Sequence, residues 1–266
     1  GLKPVYWCGH CQTALADAEV EYHDHKSPSI YVQFPVKKHS LNIKEPLFVF
    51  IWTTTPWTLP ANVGLAFNPD FEYVVAECSK GLLILAKEMI KKVEEATGLT
   101  LKEKFLISKK EIEELEVNHP FLNRLSKPVF GTHVTLEAGT GVVHTAPGHG
   151  QEDFEVGIEY QLPVLSPIDH QSRFTKEGGE WAGLHVFEAN PLIVEKLKSL
   201  DLLAHVEEVE HSYFHCWRCK KPVIYRATPQ WFISVEKNNL RQRLLDVTEK
   251  LVQWIPLWGK TRMSHM

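Results

Sequence analysis

The chain has 266 residues, of which 44% are hydrophobic and 23% charged, and its formal net charge is -4. This length is enough for one large domain, alone or with a small satellite. The mild acidity argues against a general nucleic-acid binder, which carries a basic surplus. Apolar runs fall short of the roughly 18 residues of a membrane helix, and the N-terminus has no signal-peptide pattern. We therefore expect a cytoplasmic protein with no membrane partner, and the start at Gly1 predicts a segment of a longer chain.

Four of the five cysteines form two C-x-x-C pairs near opposite ends of the chain. "CGHC" contains Cys8 and Cys11, and "CWRC" contains Cys216 and Cys219. Four thiolates in two such knuckles are the ligand set of a structural zinc ion. Reduced thiols or a redox pair are the alternative. Cys78 stands alone in a strand-like segment, where we expect a buried small hydrophobe.

A shared metal would bring the two knuckles together and divide the chain into an outer and an inner part. Residues 1–20 and 205–266 would form a small zinc-knuckle stem, and residues 21–204 an inserted body. Strand-like segments open this body, and we take them in chain order: "SIYVQFPV", "LFVFIWTTT", "NVGLAFNP", "FEYVVAEC" and, later, "HVTLEAGTGVVHTA". Short strands with scattered helices predict an α+β fold, centred on a β-barrel decorated with helices rather than on a doubly wound parallel sheet.

The helices are predicted from periodicity and end signals. "ILAKEMIKKVEEATG" ends at Gly98, and "SKKEIEELE" begins at a Ser108 cap. "EDFEVGIEYQL" and "ANPLIVEKLKSLD" are amphipathic, and the second is expected to open with an Asn190 cap followed by Pro191.

Three adjacent threonines close the strand "LFVFIW". Side chains alternate along a strand, so Thr53 and Thr55 share one face and Thr54 points to the other. Pro56 restricts Thr55 to an extended conformation. The stretch therefore predicts paired hydroxyls at the mouth of a strand. Threonine is also simply a good β-former, which is the alternative explanation.

The densest cluster of chemically active side chains lies in "GTGVVHTAPGHGQEDF", where glycines surround His144, His149 and Asp153. The helix that follows directs its first N–H groups at this loop. Asp153 in its first turn could serve only the helix dipole, and His144 could be a satisfied core histidine. The glycine spacing matches neither the dinucleotide-binding pattern nor the P-loop, so phosphate binding is not supported.

Together, "WTTTPWTLPAN", "GTGVVHTAPGHGQEDF", "HSYFHCWRCKKPV" and "RATPQWFIS" resemble the editing insertion of the bacterial-type isoleucyl-tRNA synthetase family, over essentially the whole chain. Valyl and leucyl members typically carry "TTRP" and lack "HTAPGHG". Phe214 departs from the family, which usually has proline there, and the departure affects only the expected local turn geometry. The synthetic signatures "HIGH" and "KMSKS" do not occur, so this segment should not activate amino acids, and ATP binding belongs to the full-length enzyme.

The resemblance implies an aminoacyl-tRNA deacylase that removes valine from tRNA(Ile), with valyl-adenylate as a further substrate. An isoleucine pocket is the established example of a site that rejects valine only about 150-fold, so a second site hydrolyses the smaller product. The family pattern implies that Asp153 binds the substrate ammonium. It implies that His144 excludes isoleucine and helps to hold the terminal adenosine. The remaining site residues implied are Thr53, Thr54, Thr55, Asn62 as a polar positioner and Trp57 as a mobile wall.

The mechanism we expect is attack by a positioned water, aided by a ribose hydroxyl, because no nucleophile with an adjacent base is evident. A threonine nucleophile is the alternative mechanism. Residues 205–266 would also lead toward the catalytic domain, and the partners would be the 3′ end of tRNA(Ile) charged with valine and the remainder of the synthetase. Alternative functions are a valyl- or leucyl-type editing domain and a non-catalytic, zinc-stapled module that binds the end of a tRNA.

Overall fold

The computed structural model describes residues 1–264, which form an α+β structure of thirteen strands and six α-helices. The strands are β1 (Leu2–Cys8), β2 (Thr13–Leu15), β3 (Val20–Lys38), β4 (Leu47–Thr53), β5 (Gly64–Phe67), β6 (Tyr73–Cys78), β7 (Gly81–Ala86), β8 (Lys102–Ile107), β9 (Glu116–Val117), β10 (Lys127–Phe130), β11 (Val142–Thr145), β12 (Leu203–Cys216) and β13 (Ile224–Pro229). The helices are α1 (Ile90–Thr97), α2 (Lys109–Glu113), α3 (Gln151–Glu159), α4 (Val186–Ser199), α5 (Leu240–Lys250) and α6 (Trp258–Ser264). Within this described part, no helix is long and apolar enough to cross a membrane.

The strands form three sheets. The largest has the order β12-β3-β4-β7-β6-β8, with β9 also paired to β3, and β4 and β7 at its centre run parallel. A second sheet has the order β10-β5-β11, and a third, β13-β1-β2, pairs the first strand of the chain with the last. The long β3 and β12 form an antiparallel ribbon that leads from the knuckles into the large sheet.

The predicted barrel is wrong, because none of these sheets closes among residues 1–264. The large sheet ends at β8, in which five of six side chains are exposed and Lys102, Glu103 and Lys104 are charged. Such charges mark an edge strand that avoids further pairing. The apolar core lies on the buried faces of the inner strands, where Phe34, Phe50 and Leu83 have no exposed surface.

Two of the predicted helix ends are confirmed. Gly98 follows α1 with φ 71°, and its N–H donates to the carbonyl of Glu94. Ser108 caps α2 in a reciprocal capping box with Glu111. The predicted start of the first helix is wrong, because Ile84, Leu85 and Ala86 belong to β7.

The predicted start of α4 is also wrong. The helix begins at Val186, and His185 is its cap, with Nδ1 accepting from the Phe187 N–H. Asn190 and Pro191 therefore lie inside the helix. Both residues favour helix starts, so a local pattern could not distinguish a cap from an interior Asn-Pro step with another purpose.

Phe214, which departs from the family pattern, lies inside β12 rather than in a turn. Its ring stacks on Tyr213 at 4.3 Å and meets Tyr6 edge-on at 5.3 Å. The aromatic side chain therefore packs between the ribbon and the first strand of the chain.

Candidate functional site

The threonine segment forms a tight turn at the end of β4. A 3-10 helix, Pro56–Ala61, follows the strand directly. Thr53 Oγ1 accepts from the Thr55 N–H at 3.1 Å and lies 3.2 Å from Thr55 Oγ1. Thr53 is buried, and Thr54 and Thr55 are half-buried. The two hydroxyls are paired as expected, but a turn brings them together rather than strand alternation, because β4 ends at Thr53 and Thr55 is not extended (φ -125°, ψ 68°).

His144 lies on β11 and is held by Thr58 of the Pro56–Ala61 helix and by Asn62, which ends that helix. Its Nε2 is 2.9 Å from Thr58 Oγ1, and its Nδ1 is 3.4 Å from Asn62 Nδ2. Thr58 Oγ1 in turn donates to the Thr55 carbonyl at 2.8 Å. The histidine ring is therefore connected to the backbone of the threonine segment through one hydroxyl.

The hydrogen bonds of Asn62 fix the tautomer of His144. Asn62 Nδ2 donates to the Gly64 carbonyl at 2.8 Å, while Asn62 Oδ1 accepts from Ser126 Oγ at 2.6 Å. The amide nitrogen thus faces the ring, so His144 Nδ1 is the acceptor and Nε2 carries the proton. Burial, followed by the nearby His149, lowers the pKa of His144 to about 4. The ring is neutral at physiological pH, with both nitrogens bonded inside the protein.

Asp153 lies in the first turn of α3 and faces the end of β11. Its Oδ2 accepts from the Ala146 N–H at 2.8 Å. Within residues 1–264, no lysine, arginine or histidine nitrogen lies within 4.0 Å of the carboxylate. Burial raises the pKa of Asp153 to about 6, although the Ala146 hydrogen bond opposes this shift. The carboxylate is therefore placed where a cationic group would stabilise it.

The loop between β11 and α3 is fastened to β13. The Ala227 N–H donates to the Gly148 carbonyl at 2.8 Å, and His149 Nδ1–H donates to the Tyr225 carbonyl at 2.9 Å. A Cβ on Gly148 would lie 2.0 Å from the Leu165 carbonyl oxygen, so only glycine fits there. The strand that carries this anchor also pairs with β1, which ends at Cys8.

Trp57 packs under this loop. It is 3% exposed, and its ring meets His149 edge-on with centroids 5.0 Å apart. Its backbone N–H donates to Asn190 Oδ1 at 2.9 Å. Trp57, which was expected to be a mobile wall of the pocket, thus lies in the interior, between α4 and the loop that joins β11 to α3.

The four knuckle cysteines converge from opposite ends of the chain. Their sulfurs all lie within 4.8 Å of one another, and Cys8 Sγ and Cys219 Sγ are 3.5 Å apart. A tetrahedral zinc–thiolate site has sulfur–sulfur edges of about 3.8 Å. Cys8 Sγ also accepts from the Cys11 N–H at 3.3 Å. Burial raises the pKa of the Cys8 thiol, so a cation is needed for this sulfur to ionise. These residues fit a tetrahedral metal ion.

Cys78 lies at the end of β6, as its strand-like segment suggested, but the prediction that it is buried is wrong, because the residue is only half-buried at the strand end. It is not part of the cysteine cluster.

Sequence reasoning missed three residues that hold the site together. Thr58 and Ser126 complete the hydrogen bonds around His144 and Asn62. Asn190 was predicted only as a helix cap. The signal for Thr58 was present in "TTTPWTLPAN", where a fourth threonine follows the proline by two residues. Ser126 lies in a distant segment, and its contact depends on the pairing of β10 with β5.

Comparison with known proteins identifies the family to which this chain belongs. A model described as "tRNA synthetases class I (I, L, M and V)" matches residues 1–266, and the chain belongs to this family. It is 51% identical to the isoleucine–tRNA ligase of Fervidobacterium pennivorans, 53% to that of Kosmotoga olearia and 50% to that of Thermotoga maritima. Each comparison covers 100% of this chain, which spans 28% of the length of each relative.

The fold is similar to that of a solved structure described as "The crystal structure of GlLeuRS-CP1". The TM-score is 0.53 at 12% identity, and the match covers 67% of this chain and 99% of the other. This similarity identifies the fold as CP1-like.

Proposed function

We propose that the chain is the editing unit of an isoleucyl-tRNA synthetase and hydrolyses valine from misacylated tRNA(Ile). The observation that carries this proposal is the carboxylate of Asp153, which lacks a cationic partner among the described residues and accepts from Ala146, just after the strand that bears His144. The chain is also about half identical to isoleucine–tRNA ligases. A valyl ester brings a free ammonium. Burying that cation without a partner is unfavourable, and Asp153 supplies the partner.

We assign to His144 the discrimination between valine and the larger isoleucine side chain. Its ring cannot retreat, because Asn62 and Thr58 bond its two nitrogens and its neutral form is favoured. A fixed wall in a close-packed interior excludes one extra methylene, whereas a movable one would not. Valine would enter the pocket and isoleucine would not.

The chemistry proposed is attack by a positioned water on the ester carbonyl. His144 is a poor general base, since its unprotonated nitrogen already accepts from Asn62. The Thr53 and Thr55 hydroxyls pair with each other, which suits orientation of the ester or the water. These contacts support a positioned water over a threonine nucleophile, which would need a base within reach.

The cysteine cluster is proposed to hold one structural zinc ion, with no part in the reaction. Cys8, Cys11, Cys216 and Cys219 would supply four thiolates, and the ion would compensate their charge. We further propose that residues 1–20 and 205–266 form the stem around this ion and that residues 21–204 form the editing domain.

The remainder of a longer synthetase is the proposed partner of the C-terminal segment. Trp231 is 100% exposed, and Ile255 and Leu257 are more than 80% exposed. Large apolar side chains rarely lie open to water in such number without a partner. Hydrogen exchange over residues 231–258 should be slower in a full-length protein than in this chain, and equal rates would contradict this partner.

Deacylation of Val-tRNA(Ile) by the purified chain is the direct test. We expect release of valine, with Ile-tRNA(Ile) spared and Thr-charged tRNA(Val) hydrolysed poorly. Efficient hydrolysis of the threonyl substrate would favour a valyl-type domain. Binding of Val-tRNA(Ile) without hydrolysis would favour the non-catalytic tRNA-end module.

A further inference from the structure

The 3-10 helix that follows the threonines starts without a cap from its own segment. Thr55 occupies the N-cap position but makes no capping hydrogen bond, because its hydroxyl faces Thr53 Oγ1 instead. Pro56 has no N–H to satisfy. The N–H of Trp57 is therefore the first donor at this helix start that needs an acceptor.

That acceptor comes from 133 positions further along the chain. Asn190 Oδ1 lies 2.9 Å from the Trp57 nitrogen, and Asn190 is buried, with 8% of the residue exposed. Asparagine is a weak former of helix interiors, and the following Pro191 removes one backbone hydrogen bond of α4. Two unfavourable residues in the middle of a helix imply that the contact made there matters.

We infer that Asn190 is a positioning residue of the candidate site: it caps the Pro56–Ala61 helix from outside and so sets the place of the threonine turn relative to His144. The inference rests on the proposed editing function for its kinetic consequence. Because Thr58 is the residue after Trp57 and bonds His144 Nε2, a shift of Trp57 moves the hydroxyl that holds the histidine. Asn190 itself acts through the turn.

The surroundings of Asn190 make this role testable without unfolding the protein. Asn190 is one of the residues that line an open cavity of about 650 Å³, together with Phe187, Pro191 and Val194 among others. If the side chain is shortened, water from this cavity can reach the Trp57 N–H. The Trp57 N–H then still has a hydrogen-bond acceptor, but a mobile water replaces the fixed Asn190 side chain. The variant should therefore still fold, but the start of the Pro56–Ala61 helix should no longer be held in one position.

The experiment compares Asn190→Ala with Asn190→Asp, which keeps an acceptor, and with Ile193→Val, which removes one buried methylene from the same helix. In Asn190→Ala we expect exchange of the Trp57 amide, followed by NMR, to be at least about tenfold faster. We expect kcat for Val-tRNA(Ile) to fall about 10- to 100-fold with KM little changed. Asn190→Asp and Ile193→Val should keep slow exchange and most of kcat.

Three results would overturn the inference: slow Trp57 exchange in Asn190→Ala, an unchanged kcat in that variant, or an equal loss in Ile193→Val. If the parent chain does not hydrolyse Val-tRNA(Ile), the proposed function fails separately. The amide exchange then decides alone whether Asn190 caps the turn: fast exchange in Asn190→Ala supports the cap, and slow exchange overturns it.

Discussion

The cysteine cluster and the threonine turn both keep polar groups from water, and they satisfy those groups in different ways. In the cluster, four sulfurs face one another, and burial raises the pKa of the Cys8 thiol. Beside the turn, His144 of β11 has a partner for each nitrogen, and burial lowers its pKa to about 4. The cluster is where we propose that a zinc ion binds, whereas both nitrogens of His144 already have partners within the protein.

Asp153 sets the candidate site apart from the cluster most clearly. Its folded pKa of about 6 exceeds the ordinary 3.8, so folding opposes its charge. A residue kept at a cost to stability is typical of a functional site. The two regions should therefore respond oppositely to change: if the cluster holds zinc as proposed, loss of the ion should unfold the protein, and loss of the Asp153 charge should stabilise it.

The largest effect is expected at the cluster. Removing zinc with a chelator, or changing Cys216 to Ser, should lower the free energy of unfolding by at least about 5 kcal/mol, because metal binding is coupled to folding. Urea unfolding and metal analysis measure this loss, and Cys78→Ser outside the cluster is the control. Less than about half an equivalent of zinc after zinc-supplemented expression, with four freely reactive thiols, would contradict the site.

Asp153→Asn should lower the rate of Val-tRNA(Ile) hydrolysis about 10³-fold, since it leaves the substrate ammonium without a charged partner. The amide oxygen can still accept from the Ala146 N–H, so the fold is kept. The free energy of unfolding at pH 7 should rise by about 1 to 3 kcal/mol. Glu152→Gln, at the exposed neighbouring residue, is the control and should change neither quantity much.

The pH dependence of the free energy of unfolding should show a further contrast, between the buried histidines and Asp153. The folded pKa values of His119, His144 and His149 are lowered by burial to about 3, about 4 and about 4. Between pH 6.5 and 4 the unfolded chain thus binds more protons, and stability falls as pH falls. We expect a loss of about 1 to 2 kcal/mol per histidine from pH 7 to pH 5.

Asp153 has the opposite effect on stability. As pH falls through about 6, its buried carboxylate becomes protonated, and the free-energy cost of burying its charge disappears. The loss on acidification should therefore be steeper in Asp153→Asn than in the parent. Urea unfolding at pH 7 and pH 5 measures both slopes. Equal stability of the parent at the two pH values would contradict the buried neutral histidines.

His144→Ala should reduce discrimination between Val-tRNA(Ile) and Ile-tRNA(Ile) by about 10- to 100-fold, because space for one methylene opens in the wall. The control is His215→Ala, which removes another buried histidine, one that bonds the Tyr213 carbonyl and does not contact the Pro56–Ala61 helix. That control should lose stability and keep discrimination. If His144→Ala still does not hydrolyse Ile-tRNA(Ile), the His144 ring is not what excludes the isoleucine side chain.

The sequence indicated some parts of this structure and not others for identifiable reasons. The convergence of Cys8 and Cys216 could be predicted, because cysteine pairs have few uses and each pair is local. The proximity of the Thr53 and Thr55 hydroxyls was also predicted, although a local turn produces it rather than the strand alternation expected. Both features depend on short-range geometry.

The other features depend on contacts that local patterns do not encode. Asn190 and Pro191 resemble a helix start, but the helix starts earlier and Asn190 serves a turn 133 residues away. The barrel was wrong because closure depends on which strands become edges, and the charges of β8 make it one. The bond from Ser126 to Asn62 required the packed sheets themselves.

The most direct test of the contrast between the two regions measures Cys216→Ser and Asp153→Asn side by side, as the deacylation rate of Val-tRNA(Ile) per folded molecule with unfolding followed in parallel. We predict that Cys216→Ser is strongly destabilised yet keeps most of the parent rate in its folded fraction. Asp153→Asn should be at least as stable as the parent and nearly inactive. A folded but inactive Cys216→Ser, or a stable and active Asp153→Asn, would contradict the separation of a stabilising stem from a functional site.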